Sequence, residues 1–270
     1  MRAISKPEAA GPAVGRLPYY RPIAGEVQIF HYAYESRLPL LLKGPTGCGK
    51  SRFVEAMAAA VGRPLVTVAC NDETTATDLL GRWLVRGGDT VWQDGPVTRA
   101  VRTGAVLYLD EIVEAREDVI VVLHSLSDYR RELYVDRVDE TCKAPPEFMM
   151  VVSYNPGYRR ALKEMKSSTR QRFVSLLFGY PTAEIEAEII CAESGVDLAS
   201  ARRLVSLAAK IRTLEELGLA ETVSTRLLIG AGMLITRGLP PRLACNAAVV
   251  QPLTDDPVTA AALQDLADLV

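Results

Sequence analysis

The stretch LLLKGPTGCGKSRFVEAMAAAVG, residues 40–62, puts three leucines before a glycine-rich turn and follows it with a lysine, a serine and a helix-like run. Gly44, Pro45, Thr46, Gly47, Cys48, Gly49, Lys50 and Ser51 fill the pattern G-x-x-x-x-G-K-S. Glycines let the backbone take positive φ and come close to a ligand. Successive N–H groups then converge on an anion, and the N-terminus of the next helix adds its positive end. In such a loop the lysine reaches the β- and γ-phosphates and the serine hydroxyl ligates Mg²⁺. The flanks agree with this reading. LPLLL has the length of a buried strand, and SRFVEAMAAAV reads as a helix stopped by Gly62 and Pro64. An ordinary glycine turn needs no such frame, so the stretch predicts a phosphate-binding site on an α/β fold.

A chain of 270 residues can bury one large core or two modest ones. Its 49% hydrophobic and 24% charged residues are usual for a soluble globular protein. No run approaches the roughly 18 apolar residues of a membrane span, and the N-terminus shows no charged-then-apolar leader pattern, so a cytoplasmic location is expected. The net charge of −2 leaves no electrostatic footprint for nucleic acid. The pairs Arg130-Arg131, Arg159-Arg160 and Arg202-Arg203 are read as solvated faces or subunit contacts. Five cysteines (Cys48, Cys70, Cys142, Cys191, Cys245) lack C-x-x-C spacing, which argues against zinc and against a disulfide framework. His124, in VIVVLHSLSDY, is expected to be a packed helix residue.

Residues 1–18, rich in Pro, Gly and Ala, are expected to be a flexible segment. A helix over GEVQIFHYAYES is followed by the apolar runs LPLLL, PLVTVAC, GAVLYLD, FMMVVSY and FVSLLFG, which alternate with helical patterns. That alternation predicts βαβ units and a mostly parallel sheet over residues 19–180. From Pro181 only helical patterns remain, and residues 181–270 are expected to form a smaller all-helical domain. Its helix DLASARRLVSLAAKIR carries Leu198, Ala201, Leu204, Val205, Ala208 and Ile211 on one stripe.

Further polar groups stand where apolar runs end. GAVLYLDEI closes on Asp110 and Glu111, and adjacent carboxylates at the end of a buried strand are costly unless they face a site. Asp110 suits a carboxylate that holds Mg²⁺ through water. Glu111 suits a base that orients and deprotonates an attacking water. FMMVVSYNPG ends on Asn155, a candidate for holding the γ-phosphate or that water, although Asn-Pro-Gly also favours a plain turn. SSTRQRF places Arg170 and Arg172 before the last strand, where an arginine can serve the γ-phosphate of a neighbouring subunit. Arg226, in VSTRLLIGAG, falls in a first helical turn if Ser224 is the cap. A cation there opposes the helix dipole, which marks it as a second arginine for bound phosphates.

Phosphate loop, strand-end DE, strand-end Asn, RQRF and a late STR stand in the order used by AAA+ ATPases. The chain resembles the MoxR branch of that superfamily and, within it, the CbbQ/NorQ group. LPLLLKGPTGCGKSRFVEAMA, VACNDETTATDLLGRWLVRGGDTVWQDGPVTRAVRTGAVLYLDEI, SDYRRELYVD, VVSYNPGY and STRQRF carry the likeness. The resemblance implies ATP and Mg²⁺ as ligands and a five-stranded parallel sheet with the Asn155 strand between the phosphate-loop strand and the DE strand. It also implies a helical lid and a hexameric ring with nucleotide at subunit boundaries. Insertions near residues 82–93, with a Gly87-Gly88-Asp89 turn, and 132–148 are expected to be hairpins facing the pore or a partner. Ser51 stands where threonine is common, and either hydroxyl ligates Mg²⁺. The implied role is an ATP-driven motor that, with a von Willebrand factor A domain adaptor (CbbO-like), frees Rubisco from inhibitory sugar phosphates. The alternatives are maturation of nitric oxide reductase in the NorQ manner, a DNA-directed ATPase, or a nucleotide-binding scaffold without turnover.

Overall fold

The computed structural model describes residues 18–156, 165–214, 219 and 221–268. The expected flexible segment, apart from residue 18, and the Arg159-Arg160 pair lie outside the described residues. Helix α1 (Glu26–Glu35) leads into strand β1 (Leu40–Lys43), the glycine-rich loop and helix α2 (Lys50–Ala60). Strand β2 (Leu65–Ala69) and helix α3 (Ala76–Leu80) precede a hairpin of β3 (Gly81–Arg86) and β4 (Asp89–Asp94). Next come α4 (Pro96–Thr103), β5 (Val106–Asp110) and α5 (Glu117–Leu123). A second hairpin, β6 (Glu132–Val135) and β7 (Glu140–Lys143), is followed by β8 (Met149–Tyr154), α6 (Ser167–Arg170) and β9 (Val174–Leu177). The described remainder contains helices α7 (Ala183–Ser194), α8 (Leu198–Thr213), α9 (Thr225–Thr236), α10 (Pro241–Cys245), α11 (Gln251–Leu253) and α12 (Pro257–Ala267). A π-helical turn, Asn246–Val250, joins α10 to α11.

Five strands form one parallel sheet in the order β2-β5-β8-β1-β9. Strand β8, which runs into Asn155, therefore lies between β1 and β5, as expected. Register fixes what meets at the carboxyl edge. Lys43 lies opposite Tyr154, and Leu109 lies opposite Val152, so Asp110 ends beside Ser153. Both faces of the sheet are covered, which is why its central strands read as unbroken apolar runs. The two-residue period sorts them. Leu40, Leu42, Val106 and Tyr108 pack with Phe30 of α1 and Phe53 of α2, while Leu41, Leu107, Leu109 and Val152 pack with Val101 of α4 and Val119 of α5.

The helices after β9 enclose a separate core that includes Ile190, Leu204, Ala208, Leu228, Val249 and Leu263. The stripe on α8 differs from expectation at two positions. Leu198 is 47% exposed, whereas Leu207 is buried. A stripe is buried only where a neighbour covers it, and α8 packs against α7, α9 and α12, so more than one of its faces is covered beyond the first turn. The first hairpin also differs in detail. Arg86 pairs with Asp89, so the turn is Gly87-Gly88 alone, with φ of 62° and 92°, and Asp89 belongs to β4. Two positive φ values match the type I′ turn that suits the twist of a tight hairpin.

Arg131 is neither a solvated face nor a free contact. It donates to the carbonyls of Arg37, Pro145 and Phe148 and ties the second hairpin to the sheet. His124 caps the C-terminus of α5, half-buried, with Nε2 3.3 Å from Thr169 Oγ1. No helix among the described residues is long and apolar enough to cross a membrane.

Candidate functional site

The glycine-rich loop joins β1 to α2 and is shaped by backbone conformations that only glycine takes cheaply. Gly49, at φ 101°, caps the N-terminus of α2, so the helix begins at Lys50. Gly47, at φ 68°, has a second constraint: a Cβ there would lie 2.6 Å from Ser224 Cβ. Loop and α9 thus touch at a point that admits no side chain. Lys50 is buried, and its Nζ donates to the carbonyls of Gly44 at 2.8 Å and Pro45 at 3.0 Å.

A cavity of about 860 Å³ opens over this loop and is lined by Thr46 to Ser51, Asp110, Glu111, Asn155 and Arg226, with Tyr19, Tyr20 and Ile23 at another part of its wall. Asp110 reaches it from the end of β5. Ser51 Oγ lies 3.5 Å from Asp110 Oδ2. The Tyr108 hydroxyl donates to Asp110 Oδ1 at 2.8 Å and lies 3.1 Å from Ser153 Oγ, and the Ser153 hydroxyl also donates to Asp110. Two hydroxyls therefore fix the carboxylate and leave its other oxygen toward Ser51. Burial pushes the Tyr108 hydroxyl far above its ordinary pKa, so it stays a neutral donor.

Glu111 takes φ 52°, left-handed backbone that a non-glycine residue rarely adopts. Its N–H points to Ser153 Oγ at 3.4 Å, and its Oε2 accepts from the Asn155 N–H at 3.3 Å. Burial raises the pKa of its carboxyl, with Lys50 opposing and Asp110 adding to the rise. Asn155 Nδ2 lies 3.4 Å from Thr46 Oγ1, and the Thr46 hydroxyl donates to Glu221 Oε1 at 2.7 Å. Strand ends from β5 and β8 thus meet the loop from β1.

The helical region contributes as well. Ser224 caps α9 by accepting from the Leu227 N–H, which puts Arg226 in the first turn and on the cavity wall. That start is held from beneath by a buried pair. Arg212 donates to Glu186 through Nη1 at 2.8 Å and Nη2 at 2.7 Å, and the Thr225 hydroxyl donates to the same carboxylate at 2.6 Å. The Arg212 guanidinium also lies 4.0 Å over the Tyr180 ring, whose hydroxyl donates to the Thr46 carbonyl at 3.2 Å. Arg170 and Arg172 are absent from the cavity wall. Arg170 donates to Ser167 Oγ, and Arg172 donates to the His124 carbonyl and to Asp128.

Tyr108 and Ser153 escaped the sequence reading, although a signal existed. Tyr108 stands two residues from Asp110 and shares its strand face, and Ser153 is the lone hydroxyl before Tyr154 in MMVVSY. Glu221 and Tyr180 carried no local pattern, because their place depends on how the helices dock.

The residues fit a magnesium nucleotide. The loop and the start of α2 present the backbone geometry for phosphates, and one hydroxyl and one carboxylate face each other beside it. Among the described residues no group of three or more His, Cys, Asp or Glu side chains is arranged to hold a metal ion.

Comparison with known proteins agrees with this geometry. Residues 39–173 match the AAA domain family, dynein-related subfamily, and residues 186–270 match the CbbQ/NirQ/NorQ C-terminal family. The chain is 54% identical to protein CbbQ of Hydrogenophilus thermoluteolus over 89% of its length and 90% of that protein's. It is 55% identical to the denitrification regulatory protein NirQ of Pseudomonas aeruginosa, over 93% of this chain and 97% of the other. Identity to protein NorQ of Paracoccus denitrificans is also 55%, covering 93% of each. A solved structure of a Thermotoga maritima RuvB mutant shares the fold, with a TM-score of 0.55 at 16% identity over 90% of this chain and 70% of that one. With its strands in parallel order, its loop and strand ends gathered on one cavity and its helices matched to the C-terminal family, the chain belongs to the CbbQ/NirQ/NorQ family of AAA+ ATPases.

Proposed function

We propose that this protein hydrolyses ATP to ADP and phosphate in a hexameric ring and uses the cycle to remodel a partner enzyme. The observation that carries the reading is the convergence of Lys50, Ser51, Asp110, Glu111, Asn155 and Arg226 on one cavity beside the start of α2. In this reading the backbone of residues 44–51 and Lys50 hold the phosphates. Ser51 and Asp110, whose side chains face each other beside the loop, would hold Mg²⁺. When bound, the ion would neutralise charge on the phosphates. Glu111 orients a water and takes its proton. Asn155 aligns that water or the γ-phosphate, and Arg226 supplies a cation from the helical region. Arg170 and Arg172 both stand off the cavity, and one of the two serves a neighbouring subunit's site in this reading.

Lys50→Ala and Glu111→Gln separate these roles. The first is expected to abolish binding of a fluorescent ATP analogue, and the second to keep binding while turnover stops. Wild-type turnover in Glu111→Gln would remove Glu111 from the base role.

For the target there are two readings. A CbbQ-like role, with a von Willebrand factor A domain adaptor and Rubisco, follows from the sequence resemblance. A NorQ-like role in nitric oxide reductase maturation is favoured equally by identity, which is 54% to the CbbQ relative and 55% to the NirQ and NorQ relatives. Affinity capture from the native source decides: co-purifying Rubisco supports the first reading, and co-purifying reductase supports the second.

A further inference from the structure

The two arginines before β9 differ in how they are held. Arg170 is bound through Nη2 to the hydroxyl of exposed Ser167 at 3.2 Å, three residues away. Arg172 is bound at long range. Its Nη1 donates to the His124 carbonyl at 3.3 Å and to Asp128 Oδ2 at 3.2 Å. The His124 carbonyl belongs to the C-terminal end of α5, where a cation is favoured by the helix dipole. Asp128 is itself immobilised. Arg130 grips its carboxylate through Nε at 3.1 and 3.2 Å and Nη2 at 2.7 Å, and the Arg130 N–H donates to Oδ1 at 3.0 Å. These donors hold the Asp128 carboxyl down at about 2, so it is an anion throughout the working pH range.

The pattern of donors has a consequence. A guanidinium carries five N–H groups, and its Nε–Nη2 edge can grip two oxygens of one phosphate. The side-chain hydrogen bonds Arg172 makes to described residues run through Nη1, with the side chain one-third exposed. Asp128 and the end of α5 therefore hold the guanidinium by one corner and leave the two-pronged edge to other ligands. A long side chain fixed in this way loses less rotamer freedom when it engages a phosphate.

We infer that Asp128 is the positioning residue for Arg172, which acts as the finger on a neighbouring subunit's nucleotide, and that Arg170 is not the finger. This rests on the proposed ring reading and adds to it a second residue and a choice between the two arginines. Asp128 lies four residues before Glu132, the first residue of β6, so the base of the second hairpin and the finger share one carboxylate.

The test uses full-length Asp128→Ala, Asp128→Asn, Arg172→Ala, Arg170→Ala and Lys50→Ala, with assembly of single and mixed rings verified by native mass spectrometry. Asp128→Ala is expected to bind a fluorescent ADP analogue as the wild type does, to lose about 10–100-fold in kcat, as expected for one charge-assisted hydrogen bond, and to change KM little. Asp128→Asn should fall between it and the wild type, and it carries the test if the alanine variant does not fold. Mixed with Lys50→Ala, either Asp128 variant should recover activity, because its own site is intact and the partner supplies a working finger. Mixed with Arg172→Ala it should not, because both lack a working finger. Arg170→Ala should lose far less kcat than Arg172→Ala, and an equal or larger loss overturns the choice between the two arginines. Full activity in the Asp128 variants, or recovery with Arg172→Ala, overturns the inference alone. Failure of Arg172→Ala and Lys50→Ala to complement each other overturns the shared-site reading, and the inference with it.

Discussion

Arg226 and Arg172 are both arginines expected to serve bound phosphates, yet the fold treats them in opposite ways. Arg226 is set by local rules: Ser224 caps a helix, and the first turn carries the side chain onto the wall of its own cavity. Arg172 is set by distant partners, at residues 124 and 128, and stands off that wall. Under the proposed ring reading, the difference teaches that one chain carries a nearly complete binding site and takes the last catalytic group from a neighbour, which would make hydrolysis depend on assembly.

The comparison is tested most severely at Arg172. Arg172→Ala is expected to lose about 10³–10⁵ in kcat, the range for an arginine finger, while nucleotide affinity stays near that of the wild type. Mixing it with Lys50→Ala should restore part of the ATPase activity. A large loss of affinity in Arg172→Ala would place that residue with Arg226 and erase the distinction.

Next in size is Glu186, which is buried and holds both Arg212 and Thr225 beneath the start of α9. Removing one partner of a buried ion pair costs about 3–5 kcal/mol, so Glu186→Ala should lower the denaturant midpoint markedly. If the protein remains folded, the nucleotide site should weaken while the finger survives, so this variant should still complement Arg172→Ala. Unchanged stability would show that α9 is held by other contacts.

Arg226→Ala is expected to weaken nucleotide binding by about 10–100-fold, the value of one charge-assisted hydrogen bond. Its defect lies in its own site, so mixing it with Arg172→Ala should recover activity, as is expected for Lys50→Ala. Equal affinity in variant and wild type, measured by fluorescence titration, would remove Arg226 from phosphate binding.

The smallest effect is expected at the first hairpin. Gly87 and Gly88 form an exposed turn that is not part of the cavity lining. Exchanging Gly87-Gly88-Asp89 for another tight turn should alter ATPase activity by no more than about two-fold, the scale of ordinary surface changes. In the same variant, remodelling of the partner enzyme should fall. Unimpaired remodelling would show that this hairpin does not transmit force.

Much of this was legible in the chain itself. The phosphate loop could be read because its chemistry is contiguous: eight neighbouring residues, 44–51, carry backbone shape, lysine and serine together. Strands β1, β5 and β8 could be read because burial on both faces leaves apolar runs, and Asp110, Glu111 and Asn155 because polar groups at the ends of such runs need a reason. The cap Ser224 marked a helix start that the structure shows hydrogen-bonded as a cap. Other features gave no local sign. Leu198 and Leu207 exchanged places because burial depends on which neighbours a helix meets. Asp89 moved from turn to strand because register, and not composition, sets where a hairpin turns.

The sequence by itself determined the nucleotide-binding motif, the alternation that makes a parallel sheet and the change to helices after Pro181, since each is a short-range pattern repeated along the chain. Tertiary structure alone decided that Tyr108 and Ser153 fix Asp110, that Glu221 and Tyr180 reach Thr46, that Glu186 and Arg212 support the start of α9, and that Arg172 is held by Asp128. The physical reason is separation. These groups lie from two to 175 residues apart in the chain, and in the longer cases nothing short of folding brings donor and acceptor within hydrogen-bonding distance.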